Sequence, residues 1–276
     1  MTAETYDPVV VGFDFANSRR AEVPVPGHKG GHWLVGGASG SGKSQVVHAA
    51  LAQLAPRPHV ALAVSDPALV DYADWAPRVS SMALGLEGAA WLLEQAEREM
   101  IRRLRLMRSM GVQKLEADDL SPELPHLVYV FDELAMVMLS KISGVSAAEP
   151  RLVKCAQVFR KTAQGLLLAT QHPKASVCPT MLRGQCAVRL CLRTKEAEAT
   201  DAVMDNRAIP AHELPFDLPG VGFVELPSGE VVKIRVPFVG QPEVRRIAAE
   251  TAHLTQVLPA DAGWRASFDP YEEGDV

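Results

Sequence analysis

HWLVGGASGSGKSQVVHAAL, His32 to Leu51, is the stretch on which the reading of this chain turns. An apolar run, Trp33 to Val35, reads as a strand. A glycine- and serine-rich segment follows, and from Lys43 the pattern predicts a helix to about Leu54. Between strand and helix, Gly37-Ala38-Ser39-Gly40-Ser41-Gly42-Lys43-Ser44 satisfies GxxxxGK[ST], the P-loop pattern, in the strand-then-helix setting the pattern requires. Glycines permit the tight turn and let backbone N–H groups face phosphates. The helix that follows, with Gln45 in its first turn, presents its positive end to the same anions. Lys43 is expected to reach the β- and γ-phosphates of ATP, and the Ser44 hydroxyl to ligate Mg2+.

Outward from this stretch, apolar runs alternate with helical patterns, the order of a parallel sheet with crossover helices. Val9–Phe15, His59–Asp66, Arg78–Leu84, His126–Glu133, Gly165–Gln171 and Ala187–Arg193 read as further strands. A long helix is predicted over Leu86–Met110, with Leu86, Ala90, Leu93, Met100, Leu104 and Met107 on one face. Its other face carries Glu94/Arg98 and Glu99/Arg103 at i,i+4, and its five arginines from Arg98 to Arg108 are read as a solvated, salt-bridged surface in preference to a DNA patch. A second helix is predicted over Pro150–Ala163. Two strands around a Pro-Ser-Gly turn, GVGFVELPSGEVVKIRVPFV, predict a C-terminal β-hairpin before a last helix at about Pro242–Val257. One domain over 1–258 is expected, with an acidic, flexible tail over 259–276.

A P-loop needs an acidic partner at the end of a neighbouring strand, and LVYVFDE supplies Asp132 and Glu133. Asp132 is expected to hold Mg2+ through water, and Glu133 to orient or deprotonate the attacking water. Adjacent Asp-Glu suits an ATPase that hydrolyses rather than a kinase that excludes water. The strand LLLATQH ends in Thr170 and Gln171, a position from which a polar amide could sense the γ-phosphate.

The 276 residues carry 28 basic and 33 acidic side chains, a formal net charge of -5, which argues against a generic basic coat for nucleic acid. The polar N-terminus shows no secretory signal, and no apolar run is long enough to span a bilayer, so a cytoplasmic protein without direct membrane insertion is expected. Cys155, Cys178, Cys186 and Cys191 form no CxxC pair, and buried, reduced thiols are the reading preferred over a zinc site.

In order, HWLVGGASGSGKS, SDP, VYVFDELA, GLLLATQHP and CAVRLCLRT resemble the motor domain of FtsK/SpoIIIE-type DNA translocases, from about Val9 to Val239. The ATQ-x-P strand end is the most specific part. The resemblance implies a RecA-like P-loop ATPase that assembles as a homo-hexameric ring and threads double-stranded DNA through sequence-independent backbone contacts. It also implies an arginine on the strand after ATQ-x-P that reaches the neighbouring subunit's nucleotide, matched here by Arg189, with Arg193 as its competitor.

Three departures bear on the cargo. Ala68 follows Asp66-Pro67 where the family has lysine, His172 stands where it has arginine, and the stretch after Arg193 is acidic. A related ring or coupling ATPase that energises protein secretion is therefore the alternative, ahead of a metabolic kinase. Expected pore segments are Ser140–Arg151 and His172–Arg183, with Lys141, Arg151, Lys174 and Arg183 as phosphate contacts. With no anchor or DNA-reading module in sight, a plasmid, phage or mobile-element role is expected.

Overall fold

Runs of Val, Leu, Ile and Ala too short for helices, punctuated by Gly, Pro and Asp, become the strands of one sheet. The computed structural model describes residues 3–29, 31–138 and 148–271. In chain order the elements are β1 (Val9–Asp14), β2 (Arg20–Val23), β3 (Trp33–Gly36), α1 (Lys43–Leu54), β4 (Val60–Asp66) and β5 (Ser81–Leu84). Then come α2 (Gly85–Met110), β6 (His126–Phe131), α3 (Leu134–Met138), α4 (Ala148–Phe159), β7 (Gln164–Thr170) and α5 (Thr180–Arg183). The chain continues through β8 (Val188–Leu192), α6 (Ala197–Met204), β9 (Val221–Glu225), β10 (Val231–Arg235), α7 (Gln241–Thr251) and β11 (Ser267–Phe268).

The strands form an 11-stranded sheet in the order β11-β5-β4-β6-β7-β3-β8-β9-β10-β1-β2. From β11 through β8 every pairing is parallel. From β8 to β2 every pairing is antiparallel. Strands β3, β4, β6 and β7 are buried along their whole length, as expected of a parallel sheet covered on both faces. This is the expected RecA-like arrangement, and the hairpin β9–β10 extends the sheet beyond the P-loop strand. The N-terminal strand β1 joins that same far side, paired to β10. No helix among the described residues is long and apolar enough to cross a membrane.

Two expectations are corrected. The Glu99–Arg103 pair of α2 lies not on a solvated face but in the interior, its side chains 1% and 0% exposed, whereas Glu94–Arg98 is on the surface. Arg103 also donates to the carbonyls of Thr162, Ala163 and Pro125. The cation thereby ties α2 to the turns before β6 and β7, while Leu104 faces outward. Nor is the chain loose from residue 259. Ser267–Phe268 pairs with β5, Trp264 is buried edge-on to Trp91, and Phe268 stacks on Trp91. Apolar aromatics among the acidic residues order this stretch, and 272–276 lie outside the described residues.

Candidate nucleotide site

The P-loop lies at the carboxyl end of β3, between β7 and β8. The Gly37 N–H donates to the Thr170 carbonyl at 3.2 Å and the Ala38 N–H to the Arg193 carbonyl at 2.8 Å, so both neighbouring strands pin the loop's first turn. Gly40 and Gly42 have φ of +74° and +95°. A Cβ on Gly42 would lie 2.7 Å from the Gly220 nitrogen, whose N–H donates to the Ser41 carbonyl. Glycine at 42 thus serves both the left-handed turn and close backbone approach. The connection leading into β9 props the loop from below. Gln45 accepts a hydrogen bond from the Val239 N–H at 2.9 Å, tying α1 to the chain beyond the hairpin.

Parallel register brings the acidic pair alongside. Phe131 of β6 sits opposite Leu168 of β7 and Ser65 of β4, so the next residues, Asp132 and Glu133, emerge beside Ala169–Thr170 and Asp66. The Lys43 ammonium donates to the Asp132 carboxylate at 2.5 Å and to its carbonyl at 2.9 Å. Both side chains are nearly closed to solvent, 4% and 6% exposed. Glu133 accepts from the Thr170 hydroxyl at 2.6 Å, the Gln171 N–H at 2.9 Å and the Ala135 N–H at 3.2 Å. The end of β7 therefore grips the expected catalytic carboxylate directly, through Thr170 and the Gln171 backbone.

A cavity of about 270 Å3 is lined by Ala38, Ser39, Gly40, Gly42, Lys43, Ser44, Gln45, Gln171 and Pro219. It adjoins a second, of about 320 Å3, that shares Ala38, Ser39 and Gln171 and adds His172, Lys174 and Lys195. The donor set suits a magnesium nucleotide. It offers an ammonium, loop N–H groups, a hydroxyl at Ser44 and a carboxylate at Asp132. The Ser41 hydroxyl is buried with no hydrogen-bond partner among the described residues. Beside Asp132, Asp66 is fully buried and takes the N–H groups of Ala68 and Tyr72, and burial pushes its carboxyl above the usual range.

Other expected residues lie elsewhere. Arg189 stands opposite Leu34 in the register, toward the amino end of β8 and away from its own P-loop. It is held within the chain by the Cys186 carbonyl (3.2 Å), the Met204 carbonyl (3.4 Å) and the Glu225 carboxylate (3.5 Å). The Arg193 guanidinium sits 4.7 Å over the Phe216 ring. Of the expected pore cations, Arg151 pairs with Glu97 and Arg183 with Asp205, and Lys141 lies outside the described residues with the rest of 139–147. Lys174 lines the second cavity. The four cysteines are buried, their thiols pushed up to about 12 by burial.

Sequence reasoning passed over two groups. Tyr72, in the connection between β4 and β5, is fully buried against the first turns of α1, its ring centroid 5.2 Å from that of His48. Arg160 and Lys161, between α4 and β7, line a cleft of about 590 Å3 with Lys29 and Lys114 at the amino ends of the strands, opposite the P-loop. Adjacent cations before a buried strand were the available signal.

The FtsK/SpoIIIE family model matches residues 3–125. The chain is 27% identical over 248 residues to the DNA translocase SftA of Bacillus subtilis, covering 83% of this chain and 24% of that protein. It is 28% identical over 239 residues to the DNA translocase FtsK of Tropheryma whipplei, covering 78% of this chain and 31% of that protein. The chain thus spans about a quarter to a third of the length of these curated relatives. In fold it matches the pCW3 conjugation coupling protein TcpA, solved with ATPγS, at a TM-score of 0.74 and 22% identity over 90% of this chain and 70% of that one. It matches the cytoplasmic domain of the type VII secretion ATPase EccC of Thermomonospora curvata at 0.72 and 23%, over 93% of this chain and 32% of that one. At such identities the structural likeness speaks for the P-loop ATPase fold alone. With the motifs seated as described, the chain is similar to the FtsK/SpoIIIE family, through the family model over residues 3–125 and through relatives aligned over most of its length.

Proposed function

We propose that this chain is an ATP-hydrolysing motor that works as a ring, a homo-hexamer, and moves double-stranded DNA by its phosphate backbone. The observation that carries the reading is the convergence of Lys43, Asp132, Glu133 and Thr170 at one end of the sheet. The start of α1 brings Lys43, the end of β6 brings Asp132 and Glu133, and the end of β7 brings Thr170. Lys43 exchanges the Asp132 carboxylate for the phosphates of ATP. Ser44 and Asp132 are the residues that would hold magnesium, which supplies charge neutralisation at the phosphates when bound. Glu133, oriented by Thr170 and Gln171, accepts the proton of the attacking water. Loss of the γ-phosphate changes what Gln171 can bond to, and the ATQHP turn carries that change to His172 and Lys174.

Backbone contacts serve a machine that steps along any sequence. Lys174 and Lys195 line the cavity continuous with the P-loop and have no carboxylate partner among the described residues, so they replace Arg151 and Arg183 as the favoured contacts. In a ring, each nucleotide needs a cation from the next subunit. Arg189 would first have to leave Glu225 and two carbonyls. Arg160 is exposed, has no carboxylate partner among the described residues, and lies at the opposite end of the sheet, so it is the better-placed donor. The net charge of -5 favours the second reading, a coupling ATPase for protein transport. Relatives named DNA translocases support the first, and a plasmid or mobile-element setting is the context proposed for it.

The test is duplex binding by the Glu133→Gln chain held with ATP and magnesium. Binding is expected to be equal across sequences and to fall with salt, with the slope reduced by about one unit for each of Lys174 and Lys195 neutralised. No duplex binding by that assembly would transfer the reading to protein transport.

A further inference from the structure

Tyr72 is a buried polar group beside the nucleotide site. The Tyr72 side chain is 0% exposed, and its hydroxyl has no hydrogen-bond partner among the described residues. A buried hydroxyl left without a partner is costly, and such groups are rare in folded proteins. Its surroundings are specific. The Tyr72 N–H is anchored at 3.0 Å by Asp66, whose strand neighbours that of Asp132, and its ring packs against His48, one turn after Ser44 on α1. The hydroxyl faces the Asp132 carboxylate and the Ser44 hydroxyl without meeting hydrogen-bond geometry to either. As a phenol it is a hydrogen-bond donor, and it lies beside the two expected cation-holding groups.

We propose that Tyr72 is a positioning residue for the hydrated magnesium ion, its hydroxyl hydrogen-bonded to a water of the ion held between Ser44 and Asp132. The proposal rests on the nucleotide-site reading above. A partner atom is missing because the group that supplies it arrives with the nucleotide. Outer-sphere hydrogen bonds of this kind typically alter metal affinity 10–100-fold.

Tyr72→Phe keeps the ring and removes only the hydroxyl. A merely structural hydroxyl would be missed on deletion. One without a partner would not, so the metal-free variant is expected to melt at or slightly above the wild-type temperature. Binding of a fluorescent ATP analogue is then titrated with magnesium, and Mn2+ binding in the presence of ATP is followed by electron paramagnetic resonance. The variant should bind the analogue in EDTA within about twofold of wild type, but need at least about tenfold more magnesium or manganese for half-maximal effect. An unchanged metal midpoint, or a metal-free variant that is clearly destabilised, overturns the role of Tyr72. A wild-type chain whose nucleotide binding ignores magnesium would instead overturn the site reading itself.

Discussion

Lys43→Met should destabilise the nucleotide-free chain, because it strands the Asp132 carboxylate in a nearly closed site. The side chains of the pair are 4% and 6% exposed, so solvent screens the loss little. Removing one partner of such a pair costs about 3–5 kcal/mol. At about 2 °C per kcal/mol for a chain of this length, the melting temperature should fall by roughly 6–10 °C. Asp132→Asn should destabilise for the converse reason, and the double variant Lys43→Met/Asp132→Asn should recover most of either loss. The same pair sets a cost on nucleotide binding, since Lys43 must leave Asp132 to meet phosphate. Without magnesium, Asp132→Asn should therefore bind ATP more tightly than wild type, by about tenfold or more if the lost charge-assisted bond is worth 1.5–3 kcal/mol. Scanning calorimetry in metal- and phosphate-free buffer, with an ATP titration in EDTA, measures both effects. A Lys43→Met chain melting within about 2 °C of wild type, with additive single and double variants, would refute the reasoning.

Three further outcomes follow from the geometry. His32 is fully buried, donates through Nε2 to the Ala156 carbonyl and accepts the Leu166 N–H at Nδ1, and burial lowers its pKa from 6.5 to about 4. The unfolded chain binds that proton more readily, so stability is lost as pH falls from about 6.5 towards 4, by up to about 3 kcal/mol from this group. Urea titrations across that range should show the loss, and His32→Gln should flatten its share. Gly42→Ala must accept φ of +95° and a Cβ 2.7 Å from the Gly220 nitrogen, so the P-loop should distort and ATP affinity fall at least about tenfold by calorimetric titration. Thr170→Val removes the 2.6 Å hydrogen bond to Glu133, and single-turnover hydrolysis should slow about ten- to a hundredfold while ATP binding holds. Unchanged chemistry in that variant would detach Thr170 from the catalytic carboxylate.

What could be read in the residues was whatever depends on local pattern. Glycine spacing, strand-length apolar runs and the Asp132-Glu133 strand end located the P-loop and strands β6 and β7 within a residue or two. What could not be read depends on distant pairing. The resemblance matched Arg189 to an arginine that acts on the neighbouring subunit, and its alternative as an internal ion pair needed a partner that only the β8–β9 register supplies, by setting Glu225 opposite it. Glu99–Arg103 and Glu94–Arg98 have the same i,i+4 spacing, and only the carbonyls of Thr162, Ala163 and Pro125 make one a buried clamp. Tyr72 sits in an aperiodic connection, so nothing in its neighbourhood announced that it would pack under the nucleotide site. The sparse aromatics after residue 259 gave no periodicity, although Trp264 and Phe268 find Trp91 across the sheet edge.

The central claim, that hydrolysis at this P-loop is coupled to duplex DNA, is tested most directly by steady-state ATP turnover of the full chain with and without duplex at low salt. Glu133→Gln provides the background rate. Turnover should rise several-fold with duplex of any sequence, lose the stimulation as salt increases, and vanish in Glu133→Gln. Turnover that proceeds at the same rate with and without duplex, in an assembly shown to bind ATP, would contradict it.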